Sequence, residues 1–586
     1  MSNSDIQTQE TYGDKPANEK ISDSSSDNSN EIYIPENDDI PLSLTEKPQP
    51  FHNPKEKEED EEDHHHAHQH NPDEPVPLES LDWDSPDDPE NPQNWSNLKK
   101  WVITMTAAFM CLSVTCGSSL FVSGTFDMMV KFHASQTLVL SGLTFYLIGL
   151  SLGPVLGAPL SEIFGRKIVY LTSMPISMLF VMGVGLSTNI WSVLILRFFS
   201  GFFASPVMAI AGGTISDLWS IEMLGVTMTA FCFAPFAGPV LGPIMGGFAV
   251  AAKGWKWTMW ISLMLSGVTI PFIIWMPETY KRTIMRRRAK KRGITIQKPK
   301  MGLGGFLKLI LVLTVLRPLQ MLFAREPIVI VLSIYSAFVF AILFGFFEAY
   351  PVIYTGVYDM SHSITGLTFI GIGVGLCLGV VVFLSIDRFI FYPTQPDGTR
   401  IPKGEDGKPI IPTAESRLLP AKIGAILLPI SLFWQAWTAR ASVHWMAPLA
   451  AGVPFGMSLL LIFFSVLLYF MLSYPTIILA SALAANNLAR YIIASVFPLF
   501  TVQMYKRMHI SWASSFFAFV ALAMMPIPWL FEIYGPRLRA GSYFNRLIAE
   551  EERQRKEREE AGEEEDEEDT LSLALARTMS RSESMV

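Results

Sequence analysis

Apolar residues in this chain come in long unbroken runs, and polar residues collect between the runs rather than alternating within them. A helix needs roughly 20 apolar residues to cross about 30 Å of hydrocarbon. Runs of that kind begin near Trp101, Thr137, Ile168, Trp191, Gly225 and Trp257, then near Pro327, Ile364, Pro420, Trp445, Pro475 and Trp512. Each predicts a membrane-spanning helix. The Gly and Pro inside them would break soluble helices but are tolerated in bundled membrane helices. The runs form two sixes, 96–280 and 327–536, separated by a basic interval at 281–326 and flanked by polar tails at 1–95 and 537–586. An acid followed by a base ends the second run of each six, in SEIFGRK (161–167) and SIDRF (385–389). The predicted fold is therefore an all-α membrane protein, with twelve transmembrane helices in two pseudo-symmetric six-helix bundles around a central cavity.

Composition narrows the function. Of the 586 residues, 17% are charged and 50% hydrophobic, against about 25% charged in ordinary soluble proteins; mean hydropathy is +0.30. A soluble globular enzyme is excluded. A net charge of -9, with no basic patch interleaved with aromatics, argues against nucleic acid as a partner. No nucleophile with a convincing base, no phosphate-binding glycine loop and no metal-ligand pair at helical spacing is found, so no enzyme activity, cofactor or metal is expected. The four cysteines (Cys111, Cys116, Cys232, Cys377) lie in apolar runs and read as reduced core thiols.

The tail at 1–95 is rich in Asp, Glu, Ser, Asn and Pro, cannot bury enough surface to offset its ordering entropy, and is expected to be disordered. It lacks the basic start and apolar core of a cleaved signal, which leaves targeting to the first span. Its histidine tract (His64, His65, His66, His68, His70) reads as a solvated stretch beside acids rather than a metal site. Placing both tails on one side puts 21 Lys and Arg in the loops of that side and 6 in the loops of the other. The positive-inside rule then makes both termini cytoplasmic. RRRAKKR (286–292) serves as a topology anchor and can also touch anionic headgroups.

Local motifs carry a resemblance. APLSEIFGRK (158–167) is similar to the signature loop of the major facilitator superfamily. The resemblance makes Glu162, Gly165, Arg166 and Lys167 a cytoplasmic gate motif, with Asp387 and Arg388 as the second-half counterpart. Arg197, in LRFFSGFFASP (196–206), resembles the family's fourth-helix arginine, linked to proton coupling. Being always charged, it would tune a nearby carboxylate. APFAGPVLGPIMGGF (234–248) resembles the antiporter motif of drug:proton exporters, with Gly238, Pro239, Gly242, Pro243, Gly246 and Gly247 giving a kinked, smooth hinge helix. Across roughly 80–540, DDPENPQNWS (87–96), GGTISDLWS (212–220), MPETY (276–280), FFEAYPVIY (346–354), ESRLLPAKIGAILLPISLFWQAWT (415–438) and ASALAANNLARYIIASVFPLFTVQMY (480–505) resemble the fungal multidrug and polyamine exporters. Leu472 stands where many such exporters carry an acid, which argues against strict polyamine specificity.

An exporter driven by protons needs a titratable group reached alternately from each side. Glu348, flanked by Phe346, Phe347 and Tyr350, is the best placed, because a proton and a cationic cargo can compete for one buried carboxylate. A static hydrogen bond near the helix end is the alternative. Asp127 and Asp217, near span ends, read as structural. Phe347, Tyr354, Trp434, Tyr474, Asn486 and Arg490 are candidate cavity residues; packing, interfacial anchoring or interhelical hydrogen bonds are the alternatives. The expected function is proton-coupled export of small hydrophobic or cationic compounds, drugs and also polyamines, by a monomeric protein of the plasma membrane. The partners are the bilayer, a small-molecule substrate and protons. A nutrient uptake symporter and a non-transporting membrane sensor or scaffold are the alternatives.

Overall fold

The computed structural model describes Leu78 and residues 81–296, 312–392 and 413–560. The histidine tract, most of both tails and the middle of the basic interval lie outside the described residues. The first half consists of α1 (Asn97–Ser123), α2 (Thr125–Phe132), α3 (Gln136–Leu152), α4 (Pro154–Phe164), α5 (Arg166–Leu186), α6 (Ile190–Leu218), α7 (Ile221–Lys253) and α8 (Lys256–Trp275). The basic helix α9 (Lys281–Arg292) and the short α10 (Arg317–Gln320) follow. The second half comprises α11 (Pro327–Tyr350), α12 (His362–Leu367), α13 (Ile370–Ile386), α14 (Leu419–Thr438), α15 (Met446–Ala450), α16 (Gly452–Ser473) and α17 (Thr476–Met524). α18 (Ile527–Ala540) and α19 (Tyr543–Glu560) close the described chain.

Among the described residues, ten helical stretches are long and apolar enough to cross a membrane, and one bent pair makes an eleventh. The last stretch, Ile478–Glu550, is broken at His509, where φ is 61°. Divided there, it supplies the eleventh and twelfth spans of the sequence pattern. Local chemistry sets the other boundaries. Ser135 accepts from Leu138 N (3.3 Å) to start α3, and Asn189 accepts from Ser192 N (2.8 Å) to start α6. Gly254, at φ 79°, ends α7 in a conformation that favours glycine. Asp127 accepts from Trp255 N (3.1 Å) just before α8, the structural role expected of it.

Within the first half α1 packs on α7, and α6 on both α3 and α5; within the second, α11 packs on α17, and α16 on both α13 and α14. The halves meet where α3 lies on α17 and where α12 and α13 lie on α7. One end of the bundle carries the start of α1, the end of α8, α9, the start of α11 and α18; this is the basic face, and its opposite is the far face.

Two stretches assigned to tails by composition are folded. Residues 82–90 lie on α9: Arg288 pairs with Asp88 (2.7 Å), Glu90 (2.8 Å) and Asp84 (3.4 Å), Lys281 pairs with Asp82 (2.8 Å), and Arg292 pairs with Asp84. The boundary predicted at 95 lies too late because opposite charges nearly 200 positions apart meet only in the folded chain. In the same way Glu326, fully buried before α11, accepts from Tyr474 Oη (2.9 Å), Ser542 Oγ (2.9 Å) and Phe544 N (3.1 Å), fixing the start of α19. Cys111, Cys116 and Cys232 are buried, but Cys377 is exposed on the outer side of α13 and is not a core thiol.

Candidate functional site

Twenty-one residues into α11, the helix carries Glu348 from the basic face to the far end of the seam between the halves. The side chain is 5% exposed. Gln136, at the first turn of α3 in the other half, donates from Nε2 to Glu348 Oε2 at 3.1 Å. The pair borders a cavity of about 230 Å³ lined from both halves, with Ser119 and Ser123 of α1, Gly247 of α7, Phe347 of α11 and Gly366 of α12 among its walls. One end of the carboxylate thus bridges the seam. Pro351 follows at once and opens a π-helical turn (Pro351–Thr355), an irregularity that recurs at functional sites. Sequence reasoning singled out Glu348 and Phe347 but missed Gln136, whose only signal is a lone amide behind the Ser135 cap.

The antiporter-like motif forms one wall of this seam. A Cβ added at Gly238, Gly242 or Gly246 would lie 2.0, 1.8 or 2.4 Å from Thr115 Oγ1, Ser119 Oγ or Ser123 Oγ. Three glycines four residues apart therefore mesh with three hydroxyl residues four apart on α1, one turn at a time. Gly247 faces the other half, its Cβ position 3.0 Å from His362 O, and Gly366 packs on Pro243 O. Pro239 and Pro243 lie inside α7 without ending it. α7 is thus locked to its own half on one side and lies against the second half on the other.

At the basic face the gate motif closes a knot within the first half. Gly165 has φ 97°, and a Cβ there would meet Glu278 Oε2 at 2.3 Å. Glu278 accepts from Arg166 N (2.8 Å) and Lys167 N (3.3 Å), so a carboxylate caps the positive end of α5. The Arg166 side chain pairs with Asp217 (3.4 Å) and donates to Ser161 Oγ (2.9 Å), while Lys167 Nζ donates to Ile274 O (2.8 Å). Glu162 is exposed and takes part in none of the described ion pairs; Asp217 and Glu278, one turn-end acid each from α6 and the MPETY stretch, hold the bases instead. In the second half Asp387 pairs with Arg417 (3.3 Å), which also donates to Tyr392 Oη (2.6 Å). Arg388 is exposed, so the base of this knot comes from 30 residues further on, not from the next position.

Arg197 is 1% exposed. It donates to Gly117 O (3.1 Å), Gly142 O (3.4 Å) and Ser118 O (3.5 Å), and its guanidinium lies over Tyr146 (4.1 Å) and Phe121 (4.5 Å). Its described partners are main-chain carbonyls of α1 and α3 rather than the carboxylate expected. A Cβ at Gly142 would run into the Phe121 ring, so glycine there lets α3 close on α1 beneath the guanidinium.

The remaining cavity candidates scatter. Trp434 is 43% exposed on the outer face of α14, where its helical phase points it away from the seam. Tyr474 lies at the basic face, bonded to Glu326. Tyr354 is buried among Tyr350 and Tyr358, outside the walls of the cavity. Asn486 accepts from Ser336 Oγ (2.7 Å) and ties α17 to α11. Arg490 lies at the middle of the seam. Among the described residues no group of three His, Cys, Asp or Glu could hold a metal ion.

The comparisons with known proteins bear on what this arrangement is. Residues 105–498 match the family model described as Major Facilitator Superfamily. The chain is 55% identical over 500 residues to Polyamine transporter 4 of Saccharomyces cerevisiae, covering 82% of this chain and 75% of that protein. It is 38% identical over 471 residues to the MFS-type efflux pump MFS2 of Trichophyton rubrum, covering 78% and 76% respectively. The fold matches the proton:xylose symporter XylE with a TM-score of 0.55 at 17% identity, over 75% of this chain and 97% of that one. The chain is a multi-pass membrane transporter, not an enzyme, and it belongs to the major facilitator superfamily, on the fungal branch of drug and polyamine transporters.

Proposed function

We propose that the protein is a proton-coupled exporter of small hydrophobic or cationic compounds, drugs and polyamines among them, working by alternating access. The observation that carries this is the Glu348–Gln136 bond across the seam (3.1 Å) beside a cavity walled by both halves. A carboxylate buried at membrane depth is costly unless a proton or a cation accompanies it. Gln136 supplies a neutral donor and no charge. Glu348 therefore holds a proton when the site is empty and yields it to a cationic cargo, and the exchange of the two is antiport. Because Gln136 belongs to the other half, the same exchange is tied to whether the far face is shut. The meshed α1–α7 pair supports export by giving one half a rigid edge on which α12 and α13 rock. The likeness to proteins named as an efflux pump and a polyamine transporter agrees with it.

Arg197 is retained as a coupling residue through position: by holding α1 and α3 together it sets where Gln136 meets Glu348. The knots around Arg166 and Asp387 are the hinges of the basic face. The excess of 21 over 6 basic residues supports cytoplasmic termini, and we place the protein in the plasma membrane as a monomer. The test uses proteoliposomes with an imposed pH gradient. Wild-type flux of a cationic dye should follow the gradient. Glu348→Gln should lower that response at least about tenfold while leaving the protein folded, and an unchanged response would remove Glu348 from the scheme.

A further inference from the structure

Arg490 lies about 14 residues into α17, close to 20 Å along the helix by its 1.5 Å rise, so neither membrane face is within reach of its side chain. It is 5% exposed. Its Nη2 donates to Asn487 Oδ1 at 2.7 Å, and the Tyr491 side chain is a further hydrogen-bond partner. Three rings surround the guanidinium: Phe463 at 4.7 Å, Phe340 at 4.9 Å and Tyr491 at 5.1 Å. Its Nε is buried without a partner. Among the described residues no carboxylate is within ion-pair distance, in contrast to Arg166, Arg288 and Arg417, each of which has at least one.

The box is closed from the other half. Phe236 of α7, two residues before Gly238, sets its ring edge-on against both Phe463 (4.8 Å) and Phe340 (6.0 Å). A rocking motion that parts the halves carries Phe236 away and uncovers the guanidinium. What it uncovers is a planar, permanently charged fork with spare donors, walled by apolar rings. That surface is complementary to a planar carboxylate on an aromatic or aliphatic body. A polyamine, charged along its length, has no favourable contact there. A dianion such as phosphate would exceed the single positive charge and meet three rings instead of water.

We propose that Arg490 anchors an anion subsite at the waist of the transporter, and that hydrophobic monocarboxylates are a second class of cargo. This rests on the exporter assignment above and adds a cargo class to it. Glu348 lies eight residues beyond Phe340 on α11, about 12 Å further toward the far face, so the anion and the coupling carboxylate occupy separate stations of one seam.

The experiment compares 2-naphthoate with neutral 2-naphthamide by calorimetry on the purified full-length chain. Wild type should bind the acid roughly tenfold more tightly than the amide, or better. Arg490→Gln should bring that ratio to about one, and Arg490→Lys, which keeps the charge without the fork, should hold an intermediate ratio. Size-exclusion profiles establish that the variants fold. A wild-type ratio near one overturns the subsite without recourse to any variant, and so does a ratio that survives in Arg490→Gln. Tetraphenylphosphonium flux in proteoliposomes separates the two claims. Gradient-driven flux with a ratio of one sinks the subsite alone, while a tenfold ratio without any gradient-driven flux supports the subsite and sinks the exporter assignment.

Discussion

Arg197 shows how a single buried charge can be held without an opposite one. Three carbonyl oxygens and two ring faces surround it, and hydrogen bonds to a charged group each contribute about 1.5–3 kcal/mol. Removing the guanidinium also leaves those carbonyls unpaired in a dry interior. Arg197→Gln is therefore expected to destabilise the first half by about 2 kcal/mol or more, measured as a fall in the unfolding temperature of the detergent-solubilised protein. Arg197→Lys should recover only part, because an ammonium cannot span all three carbonyls. A variant as stable as wild type would contradict the bracing role. At this scale the sequence exposes identity but not company. A lone Glu or Arg in an apolar run is conspicuous, and Glu348 and Arg197 stood out for that reason. Gln136 and Arg417 did not, since each acquires meaning only from a partner at least 30 positions away. Aromatic residues are worse still: nothing in the composition of α14 distinguishes the outward Trp434 from a wall of the cavity.

Two elements carry consequences that no single residue shows. Where α7 meshes with α1, Gly242→Ala would place a methyl 1.8 Å from Ser119 Oγ. Overpacking of that kind costs typically about 1–3 kcal/mol. Adding Ser119→Gly removes the nearest clash but leaves the backbone Leu120 N at 2.9 Å, so it should restore only part of the unfolding temperature, whereas Gly293→Ala, in open space but at positive φ, should show only backbone strain. No recovery in the Ser119 double variant would mean the two helices do not mesh. The double GP pattern was legible because glycine at such spacing has few other uses in a helix; its partner on α1 was not, because hydroxyl residues are common in membrane helices. The segment 82–90 on α9 gives a second test. The Arg288 guanidinium beside Asp88 holds its carboxyl well below the usual carboxylate range, and the Arg292 side chain lowers Asp84 likewise. A depressed carboxylate stabilises the bound form fully above its unfolded value, about pH 4, and loses that stabilisation as pH falls through the folded value. Amide protection of 82–90, corrected for intrinsic exchange, should therefore persist at pH 5. It should weaken in high salt, which screens exposed pairs, and collapse at neutral pH in Arg288→Gln. Protection already lost near pH 5 in the wild type would show that these pairs do not hold the segment.

For the whole molecule, the division into two six-helix halves follows from the apolar runs alone, but which end of the seam is shut does not, because that depends on contacts between halves. Among the described residues, hydrogen bonds across it run from Gln136 to Glu348, from Thr144 Oγ1 to Ser495 O (2.7 Å), from Ser363 Oγ to Gly247 O (3.3 Å), and between Thr137 and Gln503 (3.0 Å). All lie between the waist and the far face, so this conformation is closed on that side. Alternating access requires the same contacts to break once per cycle. Thr137→Cys with Gln503→Cys, joined by a short bifunctional thiol reagent, should lock the far face. Cys111, Cys116 and Cys232 are buried, and Cys377→Ser removes the exposed thiol. Gradient-driven flux should fall to background on cross-linking and return on reduction, while each single cysteine variant treated alike keeps transporting. The cross-link leaves the Glu348 side chain untouched, so the block would come from geometry alone. Transport that continues with the halves joined would mean that the far face does not open by separation of α3 from α17, and rocking of the two halves would no longer account for access to the site.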